Sequence, residues 1–164
     1  MTKAAFSDLC RYGARLLDLP PEIDPYVLLW AIGGVESSFG ANNVPRLERN
    51  YLPGGRNHRN EMLPLYEAFG EDAAKSWGPW QVMYCNAVRV LPGVEPQAFA
   101  NPHVGMLAAC LWIQGEIVDR QGARTVEAIG DSYNSGNHKD SFVPLDYIGK
   151  LVRHYEDELQ ETIT

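Results

Sequence analysis

Asp24-Pro25-Tyr26-Val27-Leu28-Leu29-Trp30-Ala31-Ile32-Gly33-Gly34-Val35-Glu36-Ser37-Ser38-Phe39-Gly40 is the stretch on which the fold turns. Asp24 carries the short carboxylate that accepts an N–H at a helix start. Pro25 suits the first helical position and Gly40 suits the stop, so the spacing predicts one helix here. Its interior is almost wholly apolar, as in a helix that others surround. One charged residue breaks the pattern. Glu36 shares a face with Leu29, Ile32 and Gly33, the face a core would take. A carboxyl group there is partly desolvated and sits at the negative end of the helix, and both effects favour its protonated form. A carboxyl that keeps its proton near neutral pH is what a general acid requires. The plain alternative is a glutamate at a fraying helix end, turned into water as most terminal glutamates are.

On either side the pattern is also mainly helical. Phe6, Leu9, Cys10, Gly13, Leu16 and Leu17 form one stripe, closed by Leu19-Pro20-Pro21. Residues 41–58 have the texture of turns (Asn42-Asn43, Pro45, Asn50, Pro53-Gly54-Gly55, Asn57), which predicts a long loop or a small β-hairpin within 41–60. Short helical pieces over 61–75 are broken at Pro64 and Gly70, and a helix is expected near Trp80 to Leu91. Asn101-Pro102 opens the clearest helix, ending at Gly122. Thr125 caps another that ends at Gly136, and Pro144 opens the last, with Tyr147, Ile148, Leu151, Tyr155 and Leu159 inward. No repeat, low-complexity tract or linker interrupts the chain, so residues 1–164 read as one mainly α domain.

The 164 residues suffice for one real core, and 45% hydrophobic with 21% charged residues is ordinary for a globular protein. A net charge of −7 argues against nucleic acid and anionic membranes as main partners. Cys10, Cys85 and Cys110 are widely spaced and form no CxxC pair, so they read as buried apolar residues or free thiols, with one disulfide and a spare as the alternative. His58, His103, His138 and His154 are scattered without metal-ligand spacing, so no metal or cofactor is expected. There is no nucleophile elbow, P-loop or dinucleotide fingerprint. No apolar run reaches membrane-spanning length, and the first residues lack the pattern of a signal peptide.

Two further segments carry polar and aromatic groups at element ends. Ser76-Trp77-Gly78-Pro79-Trp80-Gln81-Val82-Met83 sets two indoles and an amide around a tight turn, and Asp131-Ser132-Tyr133-Asn134-Ser135-Gly136 sets a phenol and an amide at a helix end. Aromatic faces beside amides and hydroxyls suit sugar rings. Each residue alone reads more simply as core or cap; with Glu36 the set reads as a glycan site.

Glu36-Ser37, then Ser76 through Gly78 to Gln81, then Ser132-Tyr133-Asn134-Ser135-Gly136, then Tyr147, resembles in order the motifs of soluble lytic transglycosylases and goose-type lysozymes. The resemblance runs from about Pro25 to Tyr155. It departs at Gly78-Pro79-Trp80-Gln81, where the family usually has Gly-Leu-Met-Gln, and in the longer gap after Glu36. It implies a lysozyme-like helical fold with a substrate cleft and cleavage of the β-1,4 bond between N-acetylmuramic acid and N-acetylglucosamine in peptidoglycan. Glu36 would be the general acid and base, with Tyr133 orienting it or the substrate acetamido group. Ser37, Ser76, Trp80, Gln81, Met83 and Asn134 would contact substrate. A transglycosylase needs no second carboxylate and leaves a 1,6-anhydro end; an inverting lysozyme needs one, for which Glu48 and then Asp131 are the choices. Rival readings are a chitinase or chitosanase, a non-catalytic glycan-binding or virion structural module, and a plain helical interaction domain. A chain without a leader reaches the wall as a holin-released phage lysis enzyme, as part of a virion or larger assembly, or as a domain of an exported protein.

Overall fold

The computed structural model describes residues 1–136, 139 and 145–163. It is mainly helical, with seven α-helices and one small three-stranded antiparallel sheet among those residues. Helix α1 (Lys3–Ala14) is capped by Thr2, whose hydroxyl accepts from the Ala5 N–H, and buries Phe6, Leu9, Cys10 and Gly13. Helix α2 (Pro25–Ser37) starts as its sequence dictates, with the Asp24 carboxylate accepting from the Val27 N–H at 3.0 Å and Pro25 in the first turn. Residues 26–34 of α2 are all buried, so this helix is the centre of the molecule.

The end of α2 differs from the expectation. It stops at Ser37 rather than running to Gly40, because Ser38 (φ 52°) and Phe39 (φ 59°) already take the left-handed conformation. Ser37 ties this end down: its hydroxyl donates to the Gly33 carbonyl and accepts from the Gly40 N–H at 2.8 Å. The last turn is therefore fixed, and Glu36 with it.

The sheet also corrects the sequence reading. Residues 41–60 contain no hairpin of their own; they give only strand β1 (Arg46–Leu47), which pairs with β2 (Lys75–Trp77), and β2 pairs with β3 (Val82–Met83) across the turn 78–81. Between them, α3 (Leu63–Phe69) takes Pro64 into its first turn instead of being broken by it. Helix α4 (Tyr84–Val90) begins after β3, so Trp80 lies in the turn and not in a helix. Helix α5 (Pro102–Leu111), capped by Asn101, continues through a π-helical segment, Trp112–Arg120. Helix α6 (Val126–Ser135) is capped by Thr125 and closed by Gly136 at φ 93°, as expected. Helix α7 (Leu145–Ile163) packs along α2 in the opposite sense: the Asp24 N–H donates to the Tyr155 hydroxyl, and Tyr147 meets Glu36 at the other end. The expected start at Pro144, and His138, lie outside the described residues. All three cysteines are free thiols.

Candidate active site

Three elements meet around Glu36: the end of α2, the start of α7 and strand β1. The Glu36 side chain is only 9% exposed. Its Oε1 accepts from the Tyr147 hydroxyl at 2.9 Å, and its Oε2 lies 3.8 Å from Arg46 Nη2. Burial pushes its pKa up from 4.5 to about 7; the Tyr147 hydrogen bond and the Arg46 charge pull the other way, and the Glu48 carboxylate adds to the rise. Desolvation wins. The group is thus poised to hold a proton near neutrality and to release it.

Arg46 serves two carboxylates. Its Nε donates to Glu48 Oε1 at 2.5 Å while its Nη2 faces Glu36. Because both carboxylates touch one guanidinium, their separation stays below the ~9.5 Å upper limit of an inverting pair. Ser76 joins the same cluster: its hydroxyl lies 2.9 Å from Gln81 Oε1 and 3.4 Å from Glu48 Oε1. The Gln81 amide in turn donates to the carbonyls of Gly78 and Val44. Gln81 sits at φ 47°, a conformation unfavourable for a side-chain-bearing residue, and these hydrogen bonds hold it there.

A groove of about 650 Å³ lies beside this cluster, with Met83, Tyr133, Asn134 and Trp112 on its walls. Glu36 is not on that lining. Tyr133 is what the two regions share: it lines the groove, while burial and the Glu36 charge push its phenol pKa well up. Of the residues assigned from sequence, Met83 and Asn134 line the groove, whereas Ser76 and Gln81 are buried and off its lining, with their polar atoms engaged by each other and by backbone.

Three assignments need correction. The Trp80 indole is fully enclosed, stacks on Phe6 at 4.9 Å and donates to the Leu29 carbonyl at 2.9 Å, so it is core and offers no face to a sugar. The Ser37 hydroxyl is spent on the end of α2. The phenol that orients Glu36 is Tyr147, because the Tyr133 hydroxyl donates to the Trp80 carbonyl at 2.7 Å. Asp131 is 5% exposed and accepts from the Ser135 hydroxyl within its own helix, so it is less open to water than Glu48, whose side chain is 30% exposed.

Sequence reasoning missed Arg46 and gave Tyr147 no role. Arg46 carried a faint signal, since residues i and i+2 of a strand share a face and Glu48 is two positions on. Tyr147 is 111 residues from Glu36, beyond any local pattern. Among the described residues no cluster of His, Cys, Asp and Glu could hold a metal, and no helix is long and apolar enough to cross a membrane. No family model, curated protein or solved structure matches the chain.

Proposed function

We propose that this protein is a peptidoglycan glycosidase of the lysozyme-like kind, cutting between N-acetylmuramic acid and N-acetylglucosamine with Glu36 as acid and then base. The observation that carries the reading is the buried Glu36 carboxyl, held by Tyr147 and Arg46 with its pKa raised to about 7. A glycosidic oxygen is a poor leaving group until it is protonated, and the transition state resembles an oxocarbenium ion. A protonated Glu36 supplies that proton. The charge left on Glu36 develops next to the Arg46 guanidinium and the Tyr147 hydroxyl, two groups that favour the anion. In the transglycosylase route the substrate's acetamido group assists, and the Glu36 carboxylate then takes the proton from the sugar's own 6-hydroxyl to give a 1,6-anhydro end.

One observation favours a second reading, hydrolysis. Glu48 shares the Arg46 guanidinium with Glu36, which supports it as the carboxylate that would activate water in this reading. On this reading the substrate lies in the groove, whose wall includes Tyr133, the residue that also feels the Glu36 charge. Delivery to the wall by a phage, a virion or a longer exported chain belongs to this proposal as well.

Glu36→Gln keeps shape and loses the proton. It is expected to fold and to abolish the clearing of bacterial cell walls; undiminished clearing by the variant would overturn the proposal. Mass spectrometry of digested peptidoglycan separates the two routes, since an anhydro product is one water lighter than a hydrolysed one.

A further inference from the structure

Arg46 meets its two carboxylates unevenly. A guanidinium binds one carboxylate best through two parallel N–H groups, and Nε with Nη2 make up one such edge of its planar fork. Here that edge is divided. Nε donates to Glu48 Oε1 at 2.5 Å, a short charge-assisted hydrogen bond, while Nη2 stands 3.8 Å from Glu36 Oε2, beyond hydrogen-bond range. Glu48 is held where it can keep its prong. Its N–H donates to the Ala74 carbonyl and its own carbonyl accepts from the Tyr51 N–H, both at 2.9 Å, so its backbone is fixed on either side. The Arg46 side chain is exposed, so its carboxylate partners rather than close packing set where the fork points. Tyr147 of α7 and Tyr133 of α6 also bear on Glu36, but burial pushes both phenols well up and they stay neutral. Among the described residues, Glu48 is therefore the anion that competes with Glu36 for Arg46, and the two charges act in opposite senses: Arg46 pulls the Glu36 pKa down and Glu48 pushes it up. The division matters because the proposed reaction needs Glu36 both to give and to take a proton. Clamped by the whole edge, it would be fixed as an anion, too weak an acid to protonate a glycosidic oxygen and too weak a base afterwards. With no guanidinium near, a carboxyl so buried would resist ionising at all. One N–H held at a distance lies between these extremes.

We infer that Glu48 is a positioning residue for the proposed acid: by occupying one prong of the Arg46 fork it keeps the guanidinium from closing on Glu36. This deepens the transglycosylase form of the proposed function, on which it rests, and gives Glu48 a task other than activating water. Glu48→Gln and Glu48→Ala remove the same charge, but only glutamine leaves an oxygen for Arg46 Nε. The falling limb of the kcat/KM profile, set by loss of the Glu36 proton, should move to lower pH in both variants. It should move further in Glu48→Ala, by about one pH unit or more from the wild type. In an Arg46→Gln background the same two substitutions should move the limb little, because no fork remains to be released. The Glu36 carboxyl, followed by NMR in isotope-labelled protein, should titrate in step with the limb, and circular dichroism at each pH establishes that the variants are folded. Equal shifts for glutamine and alanine, or shifts of one size with and without Arg46, overturn the inference, since Glu48 would then act by its charge alone. Loss of turnover at every pH, with Glu36 titrating as in the wild type, overturns it too and makes Glu48 a participant in the chemistry. Failure of the wild type to cleave peptidoglycan sinks the glycosidase reading instead, while the carboxyl titration still decides what Glu48 does to Arg46.

Discussion

At position 36, burial favours the proton while Tyr147 and Arg46 favour its loss, and burial prevails. Two pH effects follow. Under the proposed function the active form is protonated, so kcat/KM should fall about tenfold per pH unit above roughly pH 7. Arg46→Gln removes a charge that holds the pKa down, so that falling limb should move to higher pH; a limb that stays put or moves down would remove Arg46 from the electrostatics. The second effect concerns stability. The folded pKa lies above the unfolded value of 4.5, so the folded state binds the extra proton, and stability declines as pH rises from about 4.5 to about 7 and is level beyond. The full effect is on the order of 3 kcal/mol. Glu36→Gln escapes it, so its melting temperature should gain on the wild type between pH 5 and pH 8, and a constant gap across that range would contradict a strained carboxylate. Tyr133→Phe acts differently: it strands the buried Trp80 carbonyl, which costs about 1–3 kcal/mol, so it should lower the melting temperature as well as activity.

Among the elements, the pairing of α6 with α7 decides where Tyr147 stands. Gly130 of α6 faces Leu151 of α7, and a Cβ there would lie 2.2 Å from a Leu151 methyl that is fully buried. Gly130→Ala should cost about 1–3 kcal/mol through overpacking. It should also depress kcat by shifting Tyr147 from Glu36, which a pH profile would register as a changed limb. Helix starts and stops were legible beforehand because they are local: Asp24, Asn101 and Thr125 each bond an N–H two or three residues on, and Gly136 supplies its own left-handed turn. Strands of two or three residues are not legible that way. β1 finds its partner 28 to 30 positions later, and no alternation can show in two residues. The same limit explains Trp80. Its type announced a large aromatic surface, but only the packing of Phe6 and the Leu29 carbonyl around it decides that this surface faces inward. Ser38 and Phe39 end α2 early for a related reason, since the left-handed non-glycine pair is held by the packing of the Phe39 ring on Phe6 and Trp30.

For the whole molecule, core and site are one construction. Phe6 of α1 stacks on Trp80, contacts Trp30 and Phe39, and fills the space that Gly33 leaves on α2. The Trp80 carbonyl then holds Tyr133 at the groove. Phe6→Ala should therefore destabilise by about 3–5 kcal/mol and weaken catalysis from a distance. Denaturant unfolding would check the first, with an unchanged m-value marking a loss of stability rather than of cooperativity.

The three unpaired thiols carry one last consequence. Cys10 and Cys110 are enclosed between α1 and α5, and burial pushes the Cys85 thiol up to about 11 and Cys110 up to about 12. The thiolate is the form that reacts, and almost none is present at neutral pH. Electron traffic therefore leaves this protein alone: dithiothreitol should neither loosen it nor slow it, and alkylating reagents should find little to modify until the chain unfolds.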